Sequence, residues 1–350
     1  MESCKQYESA ARLWLPALGA AVGSVLLVFV PSNVWLTAGE TAAPGAQLGA
    51  YFLKQILTVL LLLIVPALWA RTAHVGSPWL LPCLAGVTVG FGMILFADLG
   101  DALYAAMPVV IPGAGLYVLQ RLKLSNFRAV LYESVLVLIG LFGLVCLKDL
   151  IVHGDAYLPF RRVAELYDRV TEEMLRAASP LESGMTALLN DLETMIDWYR
   201  VNAEQICVPV LMVPAMGAGL AGTLLSHRMN RRGGAALPAL PRFEDWRCER
   251  WYVIGVAGFS IVSMLLRLAD VQSGYALSGV AEIAWRMPCS LAGLAAVRRL
   301  SRRANKKWPF AVTCAALVLL PAVMLIILTL LGMLSSLRKR TNVGEDGIRK

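Results

Sequence analysis

The sequence predicts an all-α fold, a polytopic bundle of about eight or nine transmembrane helices with an extramembrane helical hairpin. Three observations carry this prediction. Hydrophobic residues make up 58% of the 350 residues, and charged residues make up only 16%. The mean hydropathy is +0.64. Several uninterrupted apolar runs also reach the roughly 20 residues that a helix needs to cross a bilayer.

Nine apolar segments are expected to form spans, five in an N-terminal membrane region, residues 1–152, and four in a C-terminal region, residues 204–336. They lie at residues 13–30, 50–70, 79–97, 103–119, 129–147, 204–226, 251–269, 275–297 and 308–335. A basic polar tail, residues 337–350, follows them. Pro108 and Pro112 interrupt the fourth segment, so the alternative there is a broken or re-entrant helix. One crossing fewer in this region would give eight spans.

Glycines recur at helical spacing in two of the predicted spans. Gly19 and Gly23 lie one turn apart in the first span, and Gly86, Gly90 and Gly92 follow one another in the third. Small residues at this spacing allow two helix backbones to approach closely in a membrane. We therefore expect these glycines to mark helix contacts and not a ligand site.

The segment 153–203 is the one sizeable polar stretch between spans. Its apolar residues recur every three or four positions, which predicts two amphipathic helices at about 160–177 and 180–202. Ser179 is the expected N-cap of the second helix, which should run without a stop into span six. The segment contains nine acidic residues and five arginines, which gives it a net charge of −4. The two helices either form a hairpin or lie on the bilayer. Their charged face is either simply solvated or a docking surface for a partner.

Basic residues set the orientation of the chain, because Lys and Arg in short loops stay in the cytoplasm. The loops after spans four, six and eight are rich in them, and all three are cytoplasmic if the N-terminus is cytoplasmic. With nine spans the tail bearing Arg338, Lys339 and Arg340 would be external, so the span count stays open between eight and nine. The net charge of +8 then indicates contact with the lipid bilayer and not with nucleic acid, because no aromatic side chains interleave the basic residues.

Motifs of the common enzyme classes are missing from the sequence. It contains no phosphate-binding loop, nucleophile elbow, HExxH or dinucleotide-binding fingerprint. The seven cysteines and three histidines show no metal-ligand spacing. We therefore expect no enzymatic activity, no cofactor and no metal, and we interpret the cysteines as small buried hydrophobic residues.

Ionisable residues inside the predicted spans are the candidate site residues, because charges at that depth are costly unless paired or hydrated. Glu282 and Arg286 lie one helical turn apart in span eight. They either pair with each other on a face turned toward the bundle, or line a polar cavity where Arg286 binds an anionic ligand and Glu282 orients it. We interpret Glu133 and Arg267 as residues that reach the membrane surface.

A second candidate surface lies between spans six and seven. Phe243, Trp246 and Arg247 combine aromatic and basic side chains close to the membrane boundary. Such residues are typical of an ordinary interfacial belt. The alternative is an amphipathic docking segment for a membrane or cytoplasmic protein partner.

The last six tenths of the chain resemble the YybS-like family of uncharacterised bacterial membrane proteins. The matching pieces are an amphipathic helix before a proline-containing span at 208–225, a basic loop with the sequence LPALPRFEDWR at 237–247, AGLAAV at 292–297, and Leu331–Gly332 followed by Arg338 and Lys339. That family is distantly similar to the substrate-binding membrane subunits of energy-coupling-factor transporters. The resemblance implies a cytoplasmic-membrane protein without its own ATPase.

The function expected from these features is that of a small-molecule transport or substrate-binding subunit in the cytoplasmic (inner) membrane. The alternative is a non-transporting scaffold or regulator that acts through its polar helices and basic loops. A bound small molecule would favour the first, and a stable protein partner the second.

Overall fold

The computed structural model describes residues 2–30, 44–122, 124–177, 183–232, 242–306 and 308–338. Every regular element within these residues is helical. The α-helices are α1 (Glu2–Phe29), α2 (Pro44–Val75), α3 (Leu80–Phe96), α4 (Leu99–Arg121), α5 (Asn126–Phe142), α6 (Lys148–His153), α7 (Leu158–Ala177), α8 (Ser183–Val201), α9 (Ala203–Arg232), α10 (Arg250–Leu268), α11 (Gln272–Arg303), α12 (Trp308–Leu319) and α13 (Pro321–Leu337). A π-helical turn, Gly143–Leu147, joins α5 to α6, and Phe243–Asp245 forms a 3₁₀ turn. The all-α prediction is confirmed.

Six helical stretches among the described residues are long and apolar enough to cross a membrane. They are Phe52–Val75, Leu99–Arg121, Phe127–His153, Ala203–Asn230, Arg250–Leu268 and Gly274–Arg303. Four further apolar helical stretches are shorter, at Trp14–Phe29, Leu80–Phe96, Trp308–Leu319 and Pro321–Leu337. These helices indicate a membrane-embedded, multi-pass protein, with six long candidate spans in place of the eight or nine expected.

The fourth predicted span is a single continuous helix, contrary to the break considered at its prolines. Both Pro108 and Pro112 lie inside α4 and are buried. A proline in a helix removes one backbone hydrogen bond and adds ring bulk. Gly140 of α5 packs directly against this part of α4, because a Cβ at this position would lie 2.8 Å from the Cα of Pro108. Helix α4 is thus both unbroken and closely packed at Pro108.

The second polar helix does not continue into span six. Helix α8 ends at Val201, Asn202 forms a turn, and α9 begins at Ala203. The side chain of Asn202 donates a hydrogen bond to the carbonyl oxygen of Trp198 at 2.7 Å, and this local bond competes with helix continuation. The predicted N-cap Ser179 lies outside the described residues.

The predicted ninth span is two helices and not one. Leu320 leaves helical geometry with φ −134° and ψ 60°, and Pro321 begins α13. A proline is well suited to the first turn of a helix, where its missing N–H is not needed. The resulting helices, α12 with 12 residues and α13 with 17 residues, are each shorter than the single helix that the uniform hydropathy predicted.

The chain divides into two compact units, Met1–Ala239 and Leu240–Lys350. Unit 1 contains α1 to α9, and its core is centred on α2, α4, α5 and α9, with Trp69 fully buried. Gly113 of α4 packs against the Trp69 ring, where a Cβ would come within 2.7 Å. The polar helices are part of this unit, because Phe52 of α2 contacts Tyr167 of α7 with ring centroids 6.2 Å apart.

Glycine contacts explain part of the predicted glycine spacing in unit 1. A Cβ at Gly23 would lie 2.8 Å from Val65, and one at Gly92 would lie 3.0 Å from the backbone of Ala102. These two glycines are helix contacts, as expected. Gly86 and Gly90 have nothing within 4 Å of a Cβ, so the packing prediction is wrong for them.

Unit 2 is organised around the antiparallel pair α11 and α13. A Cβ at Gly293 of α11 would fall closer than 3.0 Å to the backbone of Leu328, and one at Gly332 of α13 would do the same at Cys289. This register places Pro321, at the start of α13, near the level of residue 300. Arg298 also stacks on Phe310 of α12 at 4.9 Å. Both ends of α12 therefore lie near the C-terminal end of α11.

Candidate functional site

Glu282 and Arg286 form the ion pair that their spacing predicts. Nη2 of Arg286 lies 2.5 Å from Oε1 of Glu282 within α11. Both side chains are about half exposed, at 52% for Glu282 and 44% for Arg286. The pair is therefore partly open to its surroundings on α11. A role in ligand binding stays a prediction.

Joint replacement of this pair separates a structural role from a binding role. In the double variant Glu282→Leu and Arg286→Leu, two charges that satisfy each other are replaced by two apolar groups. We expect a change in unfolding free energy of less than about 1 kcal/mol, because both partners are removed together and neither is left unpaired. Thermal unfolding in detergent measures this, with Arg286→Leu alone as the comparison. A marked loss of stability in the double variant would show that the pair holds other contacts.

The proposed docking segment is held on α11 within unit 2. Arg299 donates from Nε to the backbone oxygen of Glu244 at 2.8 Å, and Arg302 pairs with the Glu244 carboxylate. The 3₁₀ turn that contains Phe243 is thus fixed at its centre. The Phe243 side chain is exposed, while Trp246 and Arg247 are half-buried. The structure brings these three residues together on one short stretch, and docking stays a prediction.

Glu133 of α5 is the most unusual side chain of the described residues. The residue is fully buried, at 0% exposure, and neither carboxylate oxygen has a hydrogen-bond partner. Its interpretation as a residue that reaches the membrane surface is therefore wrong. Arg267, by contrast, is exposed at the end of α10 and stacks on Tyr275 at 5.1 Å. That it reaches the membrane surface stays a prediction.

Two neighbouring helices pack against α5 at the level of Glu133. The next residue, Ser134, contacts α9, where a Cβ at Gly219 would lie 2.6 Å from the Ser134 backbone nitrogen. Leu136 contacts α4, at Gly115. Small residues on both neighbours let the backbones approach closely at this level. Bulk water is thereby kept from the carboxyl group.

A hydrogen-bonded cluster connects three helices of unit 1, α2, α4 and α9. Gln120 of α4 accepts at Oε1 from His74 of α2 at 2.7 Å and from Asn230 of α9 at 2.9 Å. The Gln120 amide also donates to the Ser226 hydroxyl at 2.6 Å. Ser226 and Asn230 are fully buried. Because the same ends of α2, α4 and α9 meet here, Gln120 is the central residue of this polar cluster.

Gln120 should therefore stabilise the arrangement of these helices. The change Gln120→Leu removes three hydrogen bonds and leaves buried partners unsatisfied, so we expect a loss of about 1–3 kcal/mol in unfolding free energy. Denaturation in mixed micelles measures it, with Gln205→Leu at the opposite end of α9 as the matched control. An equal loss in both variants would show that the cluster adds nothing specific.

Further unsatisfied oxygen atoms lie on α9. Within the described residues, the Thr223 hydroxyl and Oδ1 of Asn230 are buried without a hydrogen-bond partner. Buried polar atoms usually have one. Thr223 is one turn from Gly219, which contacts α5 next to Glu133. The interior of unit 1 thus contains a buried carboxyl group on α5 and a buried hydroxyl group on the facing helix α9. Oxygen groups of this kind suit a proton or a small cation.

Of these polar residues, the sequence pointed to Glu133 but not to Gln120 or to the polar residues of α9. The available signal was the polar stripe Thr223, Ser226 and Asn230, which recurs at spacings of three and four in an apolar helix. Among the described residues, no three His, Cys, Asp or Glu side chains meet as metal ligands. No family model, curated protein or solved structure matches the chain.

Proposed function

We propose that this chain is a multi-pass membrane protein that binds or transports a small solute, and that Glu133 couples this activity to a proton or a monovalent cation. The observation that carries the proposal is the complete burial of an unpartnered carboxyl group in unit 1. Ionisable groups inside membrane segments are costly, and they commonly mark proton and ion pathways.

The chemistry of the site follows from the cost of burying charge. An isolated carboxylate in apolar surroundings is unfavourable by several kcal/mol or more, so the group is either protonated or balanced by a cation. A carboxyl group that alternates between these two forms can load and release an ion. A cation bound at Glu133 needs further oxygen ligands, whereas a proton does not. The Thr223 hydroxyl on α9 is the candidate for such a ligand.

The position of Glu133 favours exchange with one membrane face. It lies six residues after Phe127, where the candidate span begins, or about 9 Å along the helix. The Gln120 cluster lies at the same end of the bundle. If the N-terminus is cytoplasmic, as the basic loops indicate, this end faces the cytoplasm.

The resemblance to YybS-like proteins supports the proposed location in a bacterial cytoplasmic membrane. It also supports the idea of a subunit without its own ATPase, with Phe243, Trp246 and Arg247 as the contact for an energising partner. The half-exposed Glu282 and Arg286 remain a second candidate position for an anionic ligand.

Labelling with a hydrophobic carbodiimide tests the proposal, since such reagents modify protonated carboxyl groups in apolar surroundings. We expect a single adduct on Glu133 in the purified protein, located by mass spectrometry of the digested chain. Raising the pH or adding Na⁺ or K⁺ should slow the labelling, and the effective condition identifies the ion.

Two variants control this experiment. Glu133→Gln should abolish the adduct, and Glu282→Gln, which removes a half-exposed carboxylate in another candidate span, should leave it unchanged. Labelling that ignores pH and both cations, or that falls on Glu282 in place of Glu133, would refute an ion-exchanging role for Glu133.

A further inference from the structure

Two cysteines lie side by side where α9 packs against the π-helical turn that follows α5. The sulfur atoms of Cys146 and Cys207 lie 3.6 Å apart. Cys146 belongs to the π-helical turn Gly143–Leu147, and Cys207 lies in the first turns of α9. Both residues are fully buried. Cys146 and Cys207 are buried, as the sequence predicts. Burial alone does not explain why their side chains lie next to each other.

The packing of α5 fixes this juxtaposition. The contacts of Ser134 with Gly219 and of Cys146 with Cys207 run in opposite directions along the chain, so α5 and the turn after it lie antiparallel to α9. Gly140 and Gly143 contact α4 at Pro108 and Met107, which holds the π-helical turn in place. π-helical turns occur often at functional positions. The packing of α4, α5 and α9 against one another therefore sets the positions of the two thiols.

The thiol pair also encloses a defined part of the chain. Between Cys146 and Cys207 lie α6, α7 and α8, the polar helices of unit 1. Arg161 of α7 pairs with Asp155 at 2.8 Å and with Glu204 of α9 at 3.7 Å. These ion pairs place the beginning of the polar segment beside the helix that carries Cys207.

We propose that Cys146 and Cys207 form a reversible disulfide that locks α5 to α9. The oxidant is a disulfide compound, either a small molecule or a dithiol oxidoreductase. Two S–H bonds break and one S–S bond forms. The pair loses two electrons and two protons, and the disulfide of the oxidant is reduced to two thiols.

The sulfur atoms, 3.6 Å apart, need to approach by about 1.5 Å to reach the disulfide bond length of about 2.05 Å. The expected external position of the polar segment places this end of the helices toward the compartment in which disulfides persist. The oxidised bond would close a covalent loop around α6, α7 and α8. This inference rests on the sulfur geometry and does not depend on an ion at Glu133.

Cleavage between α7 and α8 tests the disulfide directly. A specific protease site is inserted between residues 177 and 183, and the purified protein is oxidised with glutathione disulfide or with diamide. After cleavage, we expect the two fragments to migrate together on a non-reducing gel and to separate when dithiothreitol is added. Fragments that separate after both oxidants would overturn the proposal.

Single substitutions assign the bond. Cys146→Ser and Cys207→Ser should each release the fragments under non-reducing conditions, whereas Cys83→Ser, at an exposed cysteine, should not. Cys248 and Cys289, which hydrogen-bond to each other, both lie in the second fragment and cannot join the two. Persistence of the joined fragments in either serine variant would assign the bond elsewhere and refute the pair.

A second measurement removes any dependence on the inserted site or on folding of the variants. The unmodified protein is oxidised, its remaining thiols are alkylated, and it is digested without reductant. The expected product is one linked peptide pair that contains Cys146 and Cys207. Alkylation of both residues in oxidised, folded protein would contradict the inference.

Discussion

The change Gly332→Ala is expected to destabilise unit 2 by about 3 kcal/mol, a large effect for a single methyl group. The added Cβ would fall closer than 3.0 Å to the carbonyl oxygen of Cys289. This obstacle is backbone, which cannot rotate away as a side chain can. Helices α11 and α13 would have to separate, and they would lose close packing along their length. Unfolding in mixed micelles, with expression level as a second readout, measures the loss.

The reciprocal position gives an independent check of the same contact. A Cβ at Gly293 of α11 meets the backbone of Leu328 in α13, so Gly293→Ala should have a similar effect. The two losses should not add in the double variant, because the first substitution already separates the helices. Gly258→Ala is the matched control, since a Cβ there has nothing within 4 Å. If Gly332→Ala behaves like Gly258→Ala, the close helix contact does not exist.

These two glycines also show what two pieces of the sequence do. The pieces AGLAAV at 292–297 and Leu331–Gly332 carry no chemistry that the sequence alone reveals. In the structure, Gly293 and Gly332 lie where the backbones of α11 and α13 come close together. Small residues are required wherever membrane helices touch at backbone distance. In this part of the chain both glycines therefore serve packing.

Local signals predicted the amphipathic helices well and the helix breaks poorly. The pattern placed the first polar helix at 160–177, and the structure has Leu158–Ala177. Hydropathy merged α12 and α13, because residues on both sides of Pro321 are equally apolar. Pro108 and Pro112 suggested a break in α4, and the structure has a continuous helix there. Neither hydropathy nor the position of a proline contains information about the helices that pack against a segment.

In the candidate site, too, contacts within one helix could be predicted from the sequence, and contacts between helices could not. The pairing of Glu282 with Arg286 follows from a spacing of four residues on one helix, and the structure contains it. The residues beside Glu133 pack on Gly115 and Gly219, which lie on α4 and α9, so its surroundings come from distant parts of the chain. The Gln120 cluster likewise joins residues about 46 to 110 positions apart. Without the fold, nothing in the sequence connects them.

Glu133→Leu is expected to separate stability from activity. If the carboxyl group serves only to bind an ion, its replacement by an apolar side chain removes an unsatisfied buried group. The unfolding free energy should then stay unchanged or rise by about 1–3 kcal/mol. Binding or uptake that depends on the ion should be lost. Thermal unfolding and a proteoliposome flux assay at two pH values measure the two effects.

Glu133→Asp provides the matched control for this change. It keeps the carboxyl group and shortens the side chain by one methylene, which costs about 1 kcal/mol of packing. The aspartate variant should therefore be slightly less stable than the unchanged protein but should retain carbodiimide labelling and ion dependence. The leucine variant should show the opposite combination.

The opposite order of stabilities would identify a structural role for Glu133. A carboxyl group that holds the helices together through bonds to α4 or α9 would make Glu133→Leu markedly destabilising, because its former partners would be left buried and unpaired. Functional sites commonly reduce stability, since the groups that activity requires are costly to bury. A more stable but inactive leucine variant is therefore the result that distinguishes an ion-binding site in unit 1 from a structural contact.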